Sequence, residues 1–173
     1  MPLSLFIRHD DHIRGNPAAA LAVVMYADYQ CPTCRMANLA LADLQRRLGN
    51  QLCLVMRHFP LTDRHPYAAL AAEAAEAAAA QGAFWAMHDA LFALQGQFEP
   101  ALLPALAERL GLDPDLLMED VTQRAFQLKV EASMATGTHV GVVATPTIFI
   151  NGERYEGDVD EASVVDAMMR FVA

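Results

Sequence analysis

Two cysteines separated by two residues, Cys31-Pro32-Thr33-Cys34, lie between an apolar run and a helical repeat, and that placement constrains the chain more than any other feature. Leu21 to Ala27 is apolar throughout, as a buried strand would be. From Arg35 to Leu48 apolar residues recur at helical spacing, and Gly49 marks a stop. The first cysteine therefore falls where a strand hands over to a helix, with Pro32 suited to the first helical turn. Unpaired backbone N–H groups and the positive helix end favour an anion at that point. A thiolate is such an anion, so Cys31 is expected to be a nucleophile with a depressed pKa. Cys34, one helical turn on, is placed to close or resolve a disulfide.

A second apolar run, Leu52 to His58, has the unbroken character of a strand covered on both faces. Strand, helix and strand within about 40 residues predict a right-handed parallel βαβ unit. Ahead of it, Leu3 to Ile7 suggests a short strand and the segment through Gly15-Asn16-Pro17 a loop. From Pro66 to Gln81 alanine dominates, so this is a strong helix. Further helices are expected over Ala83 to Leu94, Pro100 to Leu110 (with Pro104 near its start), Pro114 to Thr122, and Gln123 to Thr138 ending at Gly137. Thr147 to Ile150, the dipeptide Asn151-Gly152 and Glu153 to Glu156 form a hairpin signal. Asp160 can cap a final helix, Glu161 to Val172.

Composition removes several classes. The 173 residues are 54% hydrophobic and 19% charged, which is globular. A net charge of −9 with no basic cluster opposes binding to nucleic acid or an anionic membrane. No run approaches the roughly 18 apolar residues of a membrane span. Met1 to Asp10 holds too few apolar residues for a secretory signal, so a cytoplasmic protein is expected if Met1 is the native start, and an exported, periplasmic one otherwise. Three cysteines do not make a disulfide scaffold. Zinc commonly takes two such cysteine pairs, and only one is present, with His58, His65 and His88 able to complete a site only by coincidence of folding. No metal is expected.

The chain also resembles a known family. The matching residues are Asp11-His12 with Gly15, Asp28-Tyr29-Gln30 before the cysteine pair, and Arg57-His58-Phe59-Pro60-Leu61. They continue with Ala71-Ala72-Glu73-Ala74-Ala75, Gln81-Gly82 with Phe84-Trp85 and His88-Asp89, Leu91-Phe92, and Gly141-Val142 with Thr145-Pro146-Thr147. Spanning residues 10 to 160, they are similar to the thioredoxin superfamily, in its bacterial DsbA-like branch. The resemblance implies an α/β thioredoxin fold with an α-helical domain inserted between the second strand and the C-terminal β-hairpin. The core would be 1–63 and 123–173, and the insertion 64–122. It also implies a cis peptide before Pro146, set against the cysteines, with the Thr145 backbone pairing a substrate strand; an ordinary trans proline opening a strand is the alternative.

Two positions depart from the family. Where it commonly buries an acidic residue beneath the disulfide, this chain has Met25, leaving Asp28, Glu73 or water as substitutes; Asp28 is read first as a turn residue or the partner of a backbone N–H. Where strong oxidants carry histidine before the second cysteine, this chain has Thr33. A Cys31 pKa of about 5–7 is therefore expected, not the extreme of about 3.5. The potential should then be less oxidising than about −120 mV. Cys53 is read as a small buried hydrophobe, with a regulatory disulfide as the alternative. Phe84 and Trp85 should dock the helical layer, and His58 and His65 should line it.

From these readings a thiol–disulfide oxidoreductase is expected, with Cys31 and Cys34 catalytic and Pro32 and Thr33 tuning the site. The resemblance implies that Thr145 and Pro146 bind substrate. The cysteine pair carries the electrons, so no organic cofactor is expected. Partners are protein or peptide thiols and disulfides, with glutathione a further candidate, and neither nucleic acid nor membrane. A non-redox client-binding module and a glutathione-dependent transferase or isomerase are the alternatives; retention of Cys34 counts against the latter.

Overall fold

The computed structural model describes residues 7–170. The apolar runs become β2 (Leu21–Ala27) and β3 (Leu52–His58), joined by α1 (Pro32–Leu48) and paired in parallel with Val23 opposite Leu54 and Met25 opposite Met56. β1 (His12–Gly15) adds antiparallel to β3, β4 (Thr147–Ile150) adds antiparallel to β2, and β5 (Glu153–Arg154) closes the edge, giving the order β1-β3-β2-β4-β5. The two central strands are covered on both faces, which is why neither alternates in polarity.

Side chains leave the strands with a period of two, so the sheet separates two apolar layers. Val23, Met25, Leu54, Met56 and Ile148 face α1 and the helical layer, together with Cys31 and Cys34. Val24, Tyr26, Cys53, Val55 and Phe149 face the other way, against Phe59 and Val142. α7 (Glu161–Met169), capped by the Asp160 carboxylate on the Ser163 N–H at 3.0 Å, packs beside α1 through Val164 and Met168.

α2 (Ala68–Ala80), α3 (Phe84–Leu94), α4 (Leu103–Arg109) and α5 (Pro114–Thr122) follow β3 and pack on one another. α2 is buried on nearly every side, since alanine adds helix propensity while letting neighbours approach closely. Its apolar contacts merge with those of the sheet into one continuous core.

Several boundaries differ from the sequence reading. The segment expected as a loop through Gly15 contains β1, a short edge strand whose place is set by pairing with β3 and not by an apolar run of its own. Of the strand expected over Leu3 to Ile7, residues 3–6 lie outside the described residues and Ile7 is not in a strand. α6 (Gln127–His139) begins four residues later than expected and runs through Gly137 instead of stopping there. A Cβ at 137 would sit 2.9 Å from the Phe59 and Tyr26 rings, so the glycine allows close approach of helix to sheet. The Pro100 helix opens with a 3₁₀ turn over Pro100–Leu102. In the hairpin, Asn151 and Gly152 both take positive φ, as a two-residue turn of this kind requires, but the second strand is only two residues long. α7 ends at Met169, short of the expected Val172, and residues beyond 170 lie outside the described residues.

Candidate active site

Cys31 caps the N-terminus of α1 with extended backbone, Pro32 follows in the first turn, and no acidic residue occupies that turn to compete for the helix end. Both cysteines are reduced; Cys31 is 6% exposed and Cys34 is fully buried. The Thr33 hydroxyl oxygen lies 3.1 Å from the Cys31 sulfur. On the other side, the Cys31 thiol donates to the Thr145 carbonyl at 3.5 Å, and the Thr145–Pro146 peptide is cis. All six residues singled out in the sequence thus come together, although Thr145 is 114 positions from Cys31 in the chain.

The electrostatics separate the two thiols. The Cys34 side chain hydrogen-bonds the Cys31 sulfur and, against the opposing effect of burial, this bond with those from Thr33 and the Cys34 backbone brings the Cys31 pKa down to about 5. That lies at the low end of the expected span. Burial pushes the Cys34 thiol well up, as does the neighbouring Cys31, while the Asp28 N–H, 3.5 Å from its sulfur, works the other way. One sulfur is therefore ionised near neutrality and the other holds its proton, the arrangement needed for a nucleophile and a resolving thiol.

Met25 is buried among apolar neighbours that include both cysteines, so no carboxylate lies at that position. Asp28 is fully engaged elsewhere. One carboxylate oxygen accepts the Gln30 N–H at 2.7 Å, and the other accepts the Leu61 N–H at 2.8 Å and pairs with His65 Nδ1 at 2.7 Å. It ties the turn before Cys31 to the segment after β3. Glu73 pairs with Arg124.

Sequence reasoning missed a second support. His88, fully buried on α3, accepts from or donates to the Tyr29 hydroxyl at Nδ1 (3.1 Å) and faces the Asn38 side-chain oxygen with Nε2 (2.8 Å). An amide oxygen can only accept, so Nε2 carries the proton and Nδ1 accepts from Tyr29. Burial drives the His88 pKa well below its usual value and holds the ring neutral. This chain locks the helical layer to the residue two before Cys31 and to a buried turn of α1. The recurrence of Tyr29, Asn38 and His88 on apolar faces was the available signal, but pairing across 50 and 59 positions needs the fold. Trp85 donates its indole N–H to the Ile13 carbonyl at 3.0 Å, and Phe84 stacks on His12, so both aromatics dock as expected. Cys53 is buried on the opposite face of the sheet from the cysteine pair, packed as a small apolar group.

Comparison with known proteins places this geometry. Residues 8–169 match the model of a family described as thioredoxin. A solved thioredoxin-like oxidoreductase from Silicibacter pomeroyi is 30% identical, with a TM-score of 0.79 over 94% of this chain and 92% of that one. DsbA2 of Pseudomonas aeruginosa is 25% identical, with a TM-score of 0.76 over 97% of each chain. Among curated proteins, the Na(+)/H(+) antiporter NhaA 1 of Salinispora arenicola is 46% identical over 147 residues, 85% of this chain but 22% of the antiporter. The chain spans about a quarter of the length of the curated relatives it matches. Among the described residues no helix is long and apolar enough to cross a membrane. The chain belongs to the thioredoxin family, in the DsbA-like form that carries its cysteine pair at the head of α1 and a layer of helices beside the sheet.

Proposed function

We propose that this chain is a thiol–disulfide oxidoreductase acting on protein disulfides and thiols, with Cys31 as the attacking sulfur. The observation that carries the reading is the pairing of an ionised Cys31, its pKa near 5, with a buried, protonated Cys34 one helical turn away. The Cys31 thiolate attacks one sulfur of a substrate disulfide, forming a mixed disulfide and expelling a substrate thiolate. Cys34 then gives up its proton and attacks the Cys31 sulfur, closing the Cys31–Cys34 disulfide and releasing the second substrate thiolate. Two electrons pass from the cysteine pair to the substrate, and the reverse sequence oxidises a dithiol. Neither step calls for an organic cofactor.

A polypeptide substrate is favoured by the surface beside the site. Met36 and Leu39, on α1 just after Cys34, are about half exposed, and Val143, two residues before Thr145, is 79% exposed. Apolar side chains flanking a carbonyl that faces the reactive sulfur suit an extended peptide. Glutathione is the small-molecule partner of the same exchange. The surrounding thiol pool sets the direction: a reducing cytoplasm drives the pair towards reduction or isomerisation of clients, and an oxidising exported compartment drives it towards disulfide formation.

Equilibration of the wild-type protein with mixtures of reduced and oxidised glutathione, read by mass spectrometry, should show a single two-electron transition of Cys31 and Cys34. Cys31→Ser should abolish catalysed reduction of a disulfide-bonded protein. Wild-type protein that fails to accelerate this reduction, with client binding unchanged in Cys31→Ser, would favour a client-binding role without redox chemistry.

A further inference from the structure

Apart from the cysteines, three ligating side chains from three elements converge where β1, β3 and α2 meet. Nε2 of His12 and Nε2 of His58 each lie 2.8 Å from the same oxygen, Oε1 of Glu76, and the three atoms fall within 4.8 Å of one another. Each is held by its surroundings. His12 stacks on Phe84 with ring centroids 3.5 Å apart and planes 7° from parallel. His58 is the last residue of β3, and its backbone N–H donates to the Ser133 hydroxyl at 2.9 Å. Glu76 is 2% exposed in the middle of α2.

The charges around this cluster are mostly paired already. Asp11 takes both Nε and Nη2 of Arg57 at 2.8 Å, and Asp10 takes Arg8. Among the described residues, Lys129 also reaches the cluster, its ammonium 2.5 Å from Glu76 Oε2. Its side chain is 42% exposed, so it can swing into solvent without unpacking. A cavity of about 60 Å³ opens beside the three donors, lined also by Lys129, Ser133 and Thr136. That is several times the space a single water requires.

We propose that His12, His58 and Glu76 bind a divalent transition ion of the zinc class, with water as the fourth ligand, and so fasten the helical layer to the sheet. Two imidazole nitrogens and one carboxylate oxygen suit such an ion, whereas calcium and magnesium take all-oxygen sets. Bonds of about 2.0–2.1 Å in a tetrahedron separate ligand atoms by roughly 3.3 Å. The two 2.8 Å edges therefore need to open by about half an ångström, within the reach of small side-chain rotations. Lys129 leaves Oε2 as the ion arrives. Each Nε2 that shares a proton with Glu76 Oε1 gives it up as the ion arrives, so binding releases protons.

The site is independent of the redox reading, and the test keeps the two apart. Protein oxidised to the Cys31–Cys34 disulfide and stripped with chelator is titrated with Co²⁺, then with Zn²⁺. The expected result is one equivalent of Co²⁺ with visible d–d absorption, no thiolate charge-transfer band, and displacement by Zn²⁺. His12→Ala, on the edge strand and away from the cysteines, should weaken binding at least tenfold, because changes one shell further out already cost about 10–100-fold. Its disulfide-exchange rate should stay at the wild-type value. If that variant does not fold, His12→Asn makes the same comparison. Absence of saturable absorption, a sulfur charge-transfer band, or unchanged affinity in the His12 variant would overturn the proposal.

Discussion

The Thr33 hydroxyl oxygen lies 3.1 Å from the sulfur of Cys31, the side-chain bond that the dipeptide between the two cysteines contributes to the thiolate. A hydrogen bond to a charged acceptor is worth about 1.5–3 kcal/mol, and 1.36 kcal/mol corresponds to one pKa unit. Thr33→Val keeps the shape and removes the donor. The Cys31 pKa should rise by about one, and the reduction potential should fall by roughly 30 mV, because the dithiol form loses that stabilisation. Thiolate absorbance against pH and glutathione equilibration measure the two separately. An unchanged pKa would show that the bond contributes nothing.

The depressed Cys31 pKa has a pH signature. Alkylation of the reduced protein at Cys31 should rise with a midpoint near pH 5 and stay flat above about 7, with Cys34 unreactive throughout. Folding stability follows with a definite sign. Between about 5 and the ordinary 9.0, the unfolded chain binds more protons at this thiol than the folded one, so stability of the reduced protein increases with pH across that window. The contribution is complete above 9.0, of order 2 kcal/mol at pH 7, and lost as pH falls through about 5. The disulfide form lacks it. Urea unfolding of both forms over this range, compared as a difference, checks the sign.

Asn38→Leu removes the acceptor of the buried His88 Nε2–H. A stranded buried donor costs about 1–3 kcal/mol. The variant should lose that much unfolding free energy, with a Cys31 pKa close to wild type, since the Thr33 and Cys34 contacts remain.

Gly137→Ala sets two effects against each other. Alanine gains about 1 kcal/mol of helix propensity, but its Cβ would come within 2.9 Å of the Phe59 and Tyr26 rings. Overpacking of a core costs about 1–3 kcal/mol, so the net effect should be destabilisation, measured by denaturant unfolding. Stabilisation would mean that the sheet yields easily on this side.

The central βαβ unit was legible because its signals are local. The unbroken apolar strands, the helical repeat of α1 and the Asn151-Gly152 turn each act within a few residues. β1 was not legible, since a four-residue edge strand containing His12 and Arg14 is defined by its partner β3. Gly137 misled for a related reason: a glycine that ends a helix and one that admits a neighbouring ring look alike in sequence. At the site, Cys31 and Cys34 announced themselves by spacing, and Thr145 and Pro146 by resemblance. The Asp28–His65 pair and the Tyr29–His88–Asn38 chain did not, because both join segments brought close only by the packed helical layer. The His12–His58–Glu76 cluster escaped for the same reason: the expectation of no metal weighed His58, His65 and His88 only as partners of the cysteine pair.

Trapping the mixed disulfide distinguishes the sulfur that attacks from the sulfur that resolves. Cys34→Ser protein, reduced and mixed with a disulfide-bonded peptide, should accumulate one peptide adduct, mapped by mass spectrometry to Cys31. Wild type should pass through that adduct to the closed disulfide, and Cys31→Ser should form none. An adduct carried by Cys53, or no adduct in the Cys34→Ser protein, would contradict the assignment of Cys31 as nucleophile and Cys34 as resolving thiol.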